Sequence, residues 1–254
     1  MDYIFFIYGL AFILLWSIVY QFSKSEVNIV NWKWLGYFGL IHGIQEWCDL
    51  LALSVGDSKL FTEFRLVLLF TSFIALFEFA RISSSLIYSK TPSRLIYIPI
   101  IFIISLGFFG SLNDVNALIR LTLGFGGASL GAFILYQKSK DFPTYKKYLQ
   151  KIALVLFLYG IFGGTITPET TFLQNILISH QEFLDTFNFP VQLIRAISAT
   201  TVAILVWLLW YKIYFEKSRP PLKQTTQNII QNHIHSYFIK IYNSTNKIHP
   251  QTES

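Results

Sequence analysis

The stretch that decides the fold is YIFFIYGLAFILLWSIVYQF, which runs from Tyr3 to Phe22. It is apolar along nearly its whole length, and about 20 such residues are what a helix needs to cross a bilayer. Because lipid offers backbone groups no hydrogen-bond partners, only helices and closed barrels cross it. The stretch lacks the alternating pattern of a barrel strand. It therefore predicts a membrane-spanning helix.

Six more stretches of this kind follow along the chain. They are Trp34–Val55, Phe64–Ile82, Leu95–Leu112, Ala117–Tyr136, Leu149–Ile166 and Phe189–Phe215. The sequence thus predicts an all-α polytopic membrane protein. Residues 1–216 would form a bundle of seven transmembrane helices, and residues 217–254 a short cytoplasmic tail with an amphipathic helix.

The composition agrees with a membrane protein. Hydrophobic residues make up 53% of the 254 residues and charged residues only 13%, whereas soluble domains carry about 25% charged residues. This shortage of charge excludes the soluble enzyme folds. The single cysteine, Cys48, excludes a disulfide framework and a thiolate metal cluster.

The positive charges are unevenly distributed between the connecting segments. With the N-terminus outside, 16 of the 20 Lys and Arg residues fall on the inner side, Lys59, Arg65 and Arg120 fall on the outer side, and Arg195 lies within the last helix. Basic residues concentrate in cytoplasmic loops. The pattern predicts an N-terminus outside and a C-terminus inside. The net charge of +6 then reflects topology, so we expect no nucleic-acid partner.

Charged residues at membrane depth are rare and usually mark a function or an ion pair. In helix two, His42, Glu46 and Asp49 share one stripe, because each residue turns a helix by 100°. Gln192 and Arg195 lie in the first two turns of helix seven.

Arg65 opens helix three and Arg120 opens helix five. The predicted orientation places all these polar residues in the outer half of the bundle, where they predict a ligand pocket among helices two, three, five and seven. We expect Arg195 to pair there with Glu46 or Asp49. A salt-bridge network that only fixes helix packing, and a proton relay, are the alternatives.

Other residues predict packing contacts rather than a site. Small-residue pairs let helices approach closely, and such pairs occur at Gly127, Gly131, Gly160 and Gly164. Glu78 and Arg81, three residues apart on helix three, predict a local ion pair at its inner end.

Two segments outside the helices have amphipathic patterns. The acidic outer loop between helices six and seven, Thr167–Asn188, predicts a short helix on the outer membrane face. In the tail, apolar residues are spaced by four, three and four positions. This spacing predicts either a short apolar stripe that packs against a partner helix or an amphipathic helix that lies on the inner leaflet. The residues of this stripe are Ile230, Ile234, Tyr237 and Ile241.

Known catalytic and cofactor signatures do not occur in the chain. There is no kinase or cyclase motif, and no His-Glu-x-x-His or Gly-x-Ser-x-Gly sequence. Only His42 lies at membrane depth as a candidate haem ligand, and helix seven has no lysine at its middle for retinal. We expect no enzymatic activity, no metal and no cofactor.

Four segments, in this order, resemble a known family. They are FIYGLAF (6–12), FGLIHGIQEW (38–47), LFEFAR (76–81) and PVQLIRA (190–196). Together they resemble the seven-helix N-terminal membrane sensor region of some bacterial sensor histidine kinases and diguanylate cyclases. The resemblance covers roughly residues 1–215. Its motif residues fall at His42, Gly43, Glu46, Trp47, Gln192 and Arg195.

The resemblance implies a multi-pass sensor in a bacterial inner (cytoplasmic) membrane that relays a signal to a cytoplasmic output. The family usually continues into kinase or cyclase domains, whereas about forty residues follow helix seven in this chain. We therefore expect either a truncated relative or a protein that signals through a separate partner. The expected partners are therefore the lipid bilayer, an unknown small ligand, and either a second copy of the chain or a cytoplasmic signalling protein. A small-solute transporter that uses the same polar residues is the alternative, and a remnant without activity is a third interpretation.

Overall fold

The computed structural model describes residues 2–23, 29–218, 231 and 233–240. Within them the protein is all-α apart from one short strand pair. The helices are α1 (Asp2–Phe22), α2 (Trp32–Val55), α3 (Lys59–Ser83), α4 (Ser85–Tyr88), α5 (Tyr97–Ser105), α6 (Leu112–Ile119), α7 (Gly126–Lys138), α8 (Lys146–Gly164), α9 (His180–Phe187) and α10 (Val191–Ser218). Strands β1 (Ile166–Thr167) and β2 (Ile178–Ser179) pair in parallel.

Each of the seven predicted apolar stretches is largely helical, but two differ from the expected continuous helix. The fourth is α5 flanked by the 3₁₀ turns Arg94–Ile96 and Leu106–Phe109. The fifth begins at Leu112 and joins α6 to α7 through a π-helical turn, Arg120–Phe125. π-helical turns are rare and often occur at functional sites.

Four helical segments are long and apolar enough to cross a membrane. They are Tyr3–Phe22, Lys59–Tyr88, Leu112–Lys138 and Val191–Phe215. The segment Arg94–Phe109 is apolar but shorter. These segments indicate a helical, membrane-associated protein.

Large apolar side chains also cover the outward faces of these helices. Phe6 of α1, Phe102 of α5 and Ile204 of α10 are each at least half exposed. Extended apolar surface of this kind is unfavourable in water and favourable against lipid.

Close helix contacts in the bundle depend on glycine. A Cβ atom on Gly43 of α2 would lie 2.9 Å from the carbonyl oxygen of Gly9 of α1. All four glycines of the predicted packing pairs lie at such contacts. Gly127 meets the backbone of Phe77, Gly131 the ring of Phe79, Gly160 the side chain of Ala128, and Gly164 that of Phe125. These glycines bring α7 against α3 and α8 against α7.

The connection between α8 and α10 is only partly helical. Its helix, α9, spans His180–Phe187, and β1 and β2 hold together the two ends of an irregular loop, 168–177. Phe183 of α9 is 3% exposed and packs in a core with Ile166 and Val191. The predicted short helix is thus present as α9, and its Phe183 side chain packs against protein.

The chain divides into two compact units, Met1–Trp210 and Tyr211–Ser254. The division falls within α10, a few residues before the predicted boundary at 216. In the second unit, Ile234 and Tyr237 lie in a described helical stretch and are exposed. Ile230 and Ile241, the other two residues of the predicted stripe, lie outside the described residues.

Candidate functional site

The polar stripe of α2 faces the interior of the helix bundle. His42 is fully buried and Glu46 is 2% exposed, while Asp49, one turn further on, is partly exposed. Helical periodicity keeps all three on one side of α2. The stripe therefore runs from the bundle core towards the end of the bundle at which α3 begins.

At that end the structure contains a cavity of about 320 Å³. Its walls come from α2, α3, α6 with the π-helical turn, and α10, with further residues from α1, α9 and the loop after β1. Six of the seven predicted site residues line it, namely Glu46, Asp49, Arg65, Arg120, Gln192 and Arg195. The seventh, His42, is not in the lining. The predicted pocket residues are thus brought together around one volume.

His42 instead belongs to a buried chain of hydrogen bonds. Ser72 donates its hydroxyl hydrogen to the carbonyl oxygen of Leu69 (2.7 Å), so its oxygen accepts from Nδ1 of His42 (3.0 Å). On the other side, the Tyr159 hydroxyl donates to His42 Nε2 (2.9 Å) and accepts from the Tyr8 hydroxyl (3.3 Å). These directions assign His42 as a neutral imidazole with its proton on Nδ1.

Arg195 does not make the ion pair expected from the sequence. Its Nε donates to the carbonyl oxygen of Phe162 (2.8 Å) and its Nη2 to that of Ile166 (2.5 Å). Among the ion pairs within 4 Å in the described part of the chain, none joins Arg195 to Glu46 or Asp49. The predicted pair is therefore wrong.

Arg120 also binds the C-terminal end of α8. It donates to the carbonyl oxygen of Gly163 (3.2 Å) and to the side chain of Asn116 (2.7 Å). The last carbonyls of a helix lack partners within the helix and carry partial negative charge. Arg120 and Arg195 thus both stabilise the C-terminal end of α8, which explains how two guanidinium groups stay buried without a carboxylate.

Asp49 pairs with the third cavity arginine, Arg65. Arg65 Nη1 lies 2.5 Å from Asp49 Oδ1, and its Nη2 contacts Asp57. Gln45 also donates to Asp49 (2.5 Å). These contacts form a partly exposed ionic rim around the cavity.

Several polar atoms of the lining remain without partners among the described residues. Gln45 Oε1 and Arg65 Nε are buried and unbonded. The Glu46 carboxylate accepts no hydrogen bond there, and its nearest polar contact is His42 Nε2 at 3.4 Å. Arg195 Nη1 and Arg120 Nη2 likewise make none of the described hydrogen bonds. Unused hydrogen-bonding capacity therefore faces the cavity.

Asp114 holds the loop 168–177 at the cavity end of the bundle. Its carboxylate accepts hydrogen bonds from both the backbone and the hydroxyl of Ser111 and of Thr171, and from the backbone of Phe172. Pro168, from the same loop, lines the cavity. The Ser111-x-x-Asp114 spacing is a capping box, which is the sequence signal that could have singled out this residue.

His180, at the start of α9, is a further residue of the cavity lining. Burial, and then the charges of Arg195 and Arg120, lower its pKa to about 2. Its Nε2 lies 3.4 Å from Arg195 Nη2, a contact that protonation would make repulsive. His180 is therefore uncharged at neutral pH.

The predicted Glu78–Arg81 pair is confirmed at the opposite end of α3. Arg81 donates to Glu78 Oε2 through Nε (3.0 Å) and Nη2 (2.7 Å). Its Nη1 donates to the carbonyl oxygen of Pro92 (2.6 Å). Both side chains are buried, and neither lines the cavity.

Sequence reasoning missed Tyr8, Ser72 and Tyr159, which bind His42. Single hydroxyl residues in apolar helices carry no distinguishing pattern, so no sequence signal pointed to them. Within the described residues, no group of three or more His, Cys, Asp or Glu side chains could hold a metal ion.

Comparison with known proteins does not assign the chain to a family. No protein-family model matches the sequence, and no curated protein or solved structure is significantly similar to it.

Proposed function

We propose that this protein is a membrane-embedded receptor that binds a small polar solute in the cavity and relays its presence through α10. The observation that carries the proposal is the cavity itself. Buried charged side chains from α2, the π-helical turn and α10 converge on one volume of about 320 Å³. Pockets of a few hundred Å³ with a few convergent polar groups are typical of small-molecule sites.

The proposed topology has seven transmembrane helices, an outer N-terminus and an inner C-terminus. The four long apolar helices are complemented by α5 with its flanking turns and by α2 and α8. The polar residues of α2 face inward, and the lysines of α8 lie in its first turns, at Lys146, Lys147 and Lys151. With the basic residues inside, the cavity opens to the outside, in keeping with a bacterial inner-membrane receptor.

The proposed relay uses the continuity of α10. Gln192 and Arg195 line the cavity, and the same helix continues to Ser218 in the second unit. A ligand that binds better to one position of α10 shifts the population towards that position. The tail would pass the change to a cytoplasmic partner or a second copy of the chain, without catalysis by this chain.

The resemblance to the sensor region of histidine kinases and diguanylate cyclases supports this proposal. The resembling residues Glu46, Gln192 and Arg195 are cavity residues, and His42 and Trp47 lie on the same helix as Glu46. A shared sensory role explains why the polar motifs of two distant segments meet at one place.

The test is a thermal-shift screen of the detergent-solubilised full chain against small polar solutes. Gln192→Ala is the informative variant, because the Gln192 side chain makes no described hydrogen bond that its loss would disrupt. We expect it to keep the unfolding temperature of the unliganded protein and to lose at least about half of the ligand-induced shift. The matched control is Gln137→Ala, near the far end of α7, which should behave as the wild type. No ligand shift, or one insensitive to Gln192, would refute the proposal.

A transporter is the second candidate, and one specific observation favours it. The π-helical turn Arg120–Phe125 interrupts a membrane-crossing segment beside the cavity, and transporters often bind substrates at interrupted helices. Uptake of the bound solute into proteoliposomes, lost in Gln192→Ala, would establish transport. Binding without uptake favours the receptor.

A further inference from the structure

We propose that the cavity selects a small zwitterion, a molecule of amino-acid size that carries both a carboxylate and a protonated amine. This inference rests on the proposed function, because it names the chemical class of the ligand for the same site. It follows from how the charges of the lining are separated and from which of their atoms remain unbonded.

The anion-binding side of the cavity is formed by two arginines. Arg195 is 2% exposed and Arg120 is 5% exposed, and in the described structure neither has a carboxylate within 4 Å. Their described bonds go to carbonyl and side-chain oxygens and, at 3.4 Å, to the ring of His180. Each retains one terminal nitrogen without a described hydrogen bond. Guanidinium groups bind carboxylates through charge-assisted bonds, so this side suits a ligand carboxylate.

The cation-binding side is formed by α2. The Glu46 carboxylate has no described donor, and the neighbouring Gln45 Oε1 is a buried acceptor without a partner. Asp49, one turn along, completes this acceptor surface. An ammonium group donates up to three hydrogen bonds and accepts none. It therefore matches the unfilled acceptors of Glu46 and Gln45.

The charge balance of the whole lining favours a ligand without net charge. Three cationic side chains, Arg65, Arg120 and Arg195, face three anionic ones, Glu46, Asp49 and Asp57. A simple anion would leave the Glu46 carboxylate without a donor, and a simple cation would leave the unbonded terminal nitrogens of Arg120 and Arg195 without an acceptor. Unpaired buried charge is strongly unfavourable. A zwitterion compensates both sides.

The size and remaining lining of the cavity agree with this class. At about 320 Å³ it lies at the small end of ligand pockets. Apolar side chains complete the wall, among them Phe5, Leu66, Leu69 and Leu112. They provide an apolar part of the wall for the uncharged side chain of such a ligand.

The experiment compares matched probes on the solubilised full chain by thermal shift and calorimetry. The probes are the common α-amino acids and, for leucine and phenylalanine, the amine without the carboxylate and the acid without the amine. Sugars and polyols form an uncharged set. We expect at least one amino acid to bind, and a matched amine and acid to bind at least about tenfold more weakly.

Glu46→Gln separates the two halves of the site. It keeps the shape of the side chain and removes the charge that faces the amine. We expect the variant to lose affinity for the amino acid about tenfold and to gain binding of the matched acid. Glu169→Gln, an exposed change on the loop after β1, is the matched control and should leave both affinities unchanged.

The outcomes distinguish this inference from the function on which it rests. Equal binding of the acid or the amine alone would overturn the zwitterion and leave the receptor standing, as would Gln192-dependent binding of only an uncharged solute. If no probe of any class binds in a Gln192-dependent manner, both proposals fail.

Discussion

Two regions at opposite ends of α3 bury charged side chains, and they differ in how completely those charges are bonded. In the Glu78–Arg81 pair, one carboxylate oxygen receives two guanidinium bonds and the backbone of Pro92 receives a third. Neither side chain lines the cavity near the start of α3. The two charges therefore compensate each other directly, and Arg81 also binds the segment that contains Pro92.

The cavity region, near the start of α3, has the opposite character. Its two most buried arginines bind carbonyl groups at the end of α8, and Glu46 faces only the ring of His42. Donors and acceptors therefore remain available beside an open volume. Burial of charge is common to both regions, whereas unbonded charged atoms beside a cavity occur in the second, and the proposed binding site rests on that difference.

The largest expected effect comes from breaking the closed pair. Glu78→Ala leaves Arg81 buried without its carboxylate, and removing one partner of a buried pair costs about 3–5 kcal/mol. The measurement is thermal or chemical unfolding in detergent, with circular dichroism as the readout. Glu63→Ala on the same helix is the control, because Glu63 makes no described ion pair, and it should cost less than about 1 kcal/mol. A similarly small loss in Glu78→Ala would show that solvent screens the pair.

An intermediate effect is expected from acidification at the cavity. The pKa of His180 is lowered to about 2 in the folded protein, whereas the unfolded chain titrates near 6.5. Below pH 6.5 only the unfolded state binds this proton, so stability is present above that pH and is lost as the pH falls. The slope is up to about 1.4 kcal/mol per pH unit.

His180→Asn isolates this contribution from those of other groups. Its unfolding free energy should decline less steeply than that of the wild type between pH 6.5 and 5. Identical pH profiles would mean that His180 accepts a proton in the folded state, contrary to its surroundings.

The smallest effect on stability is expected from Glu46→Gln. No ion pair with an arginine is lost and the shape is retained, so the change in unfolding free energy should be below about 1 kcal/mol. The same unfolding measurement tests it beside Glu78→Ala. A loss of more than about 3 kcal/mol in the free energy of unfolding would show that Glu46 stabilises the fold as strongly as a buried ion pair does. The contrast between the two regions would then not hold.

Which charged residues share a helix face could be predicted in both regions, because the spacing of residues along a helix fixes the side on which each one lies. The spacing of His42, Glu46 and Asp49 places them on one face, and the three-residue spacing of Glu78 and Arg81 brings them together. Neither inference requires knowledge of which helices are neighbours.

Long-range partners could not be predicted in the same way. Asp114 binds Thr171, 57 residues further on, and Tyr159 binds His42 from 117 residues away. Charge complementarity suggested Glu46 or Asp49 as the partner of Arg195. The fold instead placed Arg195 at the carbonyl end of α8, whose unfilled acceptors compete with carboxylates for its donors.

Local sequence pattern thus suffices to predict that the chain is helical and apolar, and which polar residues share one face of α2. These properties depend on residues close in sequence and on the solvent that surrounds them. The arrangement of residues from α2, α3, α10 and the π-helical turn around one cavity, and the atoms they leave unbonded, follow from the packing of the helices. That outcome depends on how the helix ends meet in space, which local periodicity does not specify.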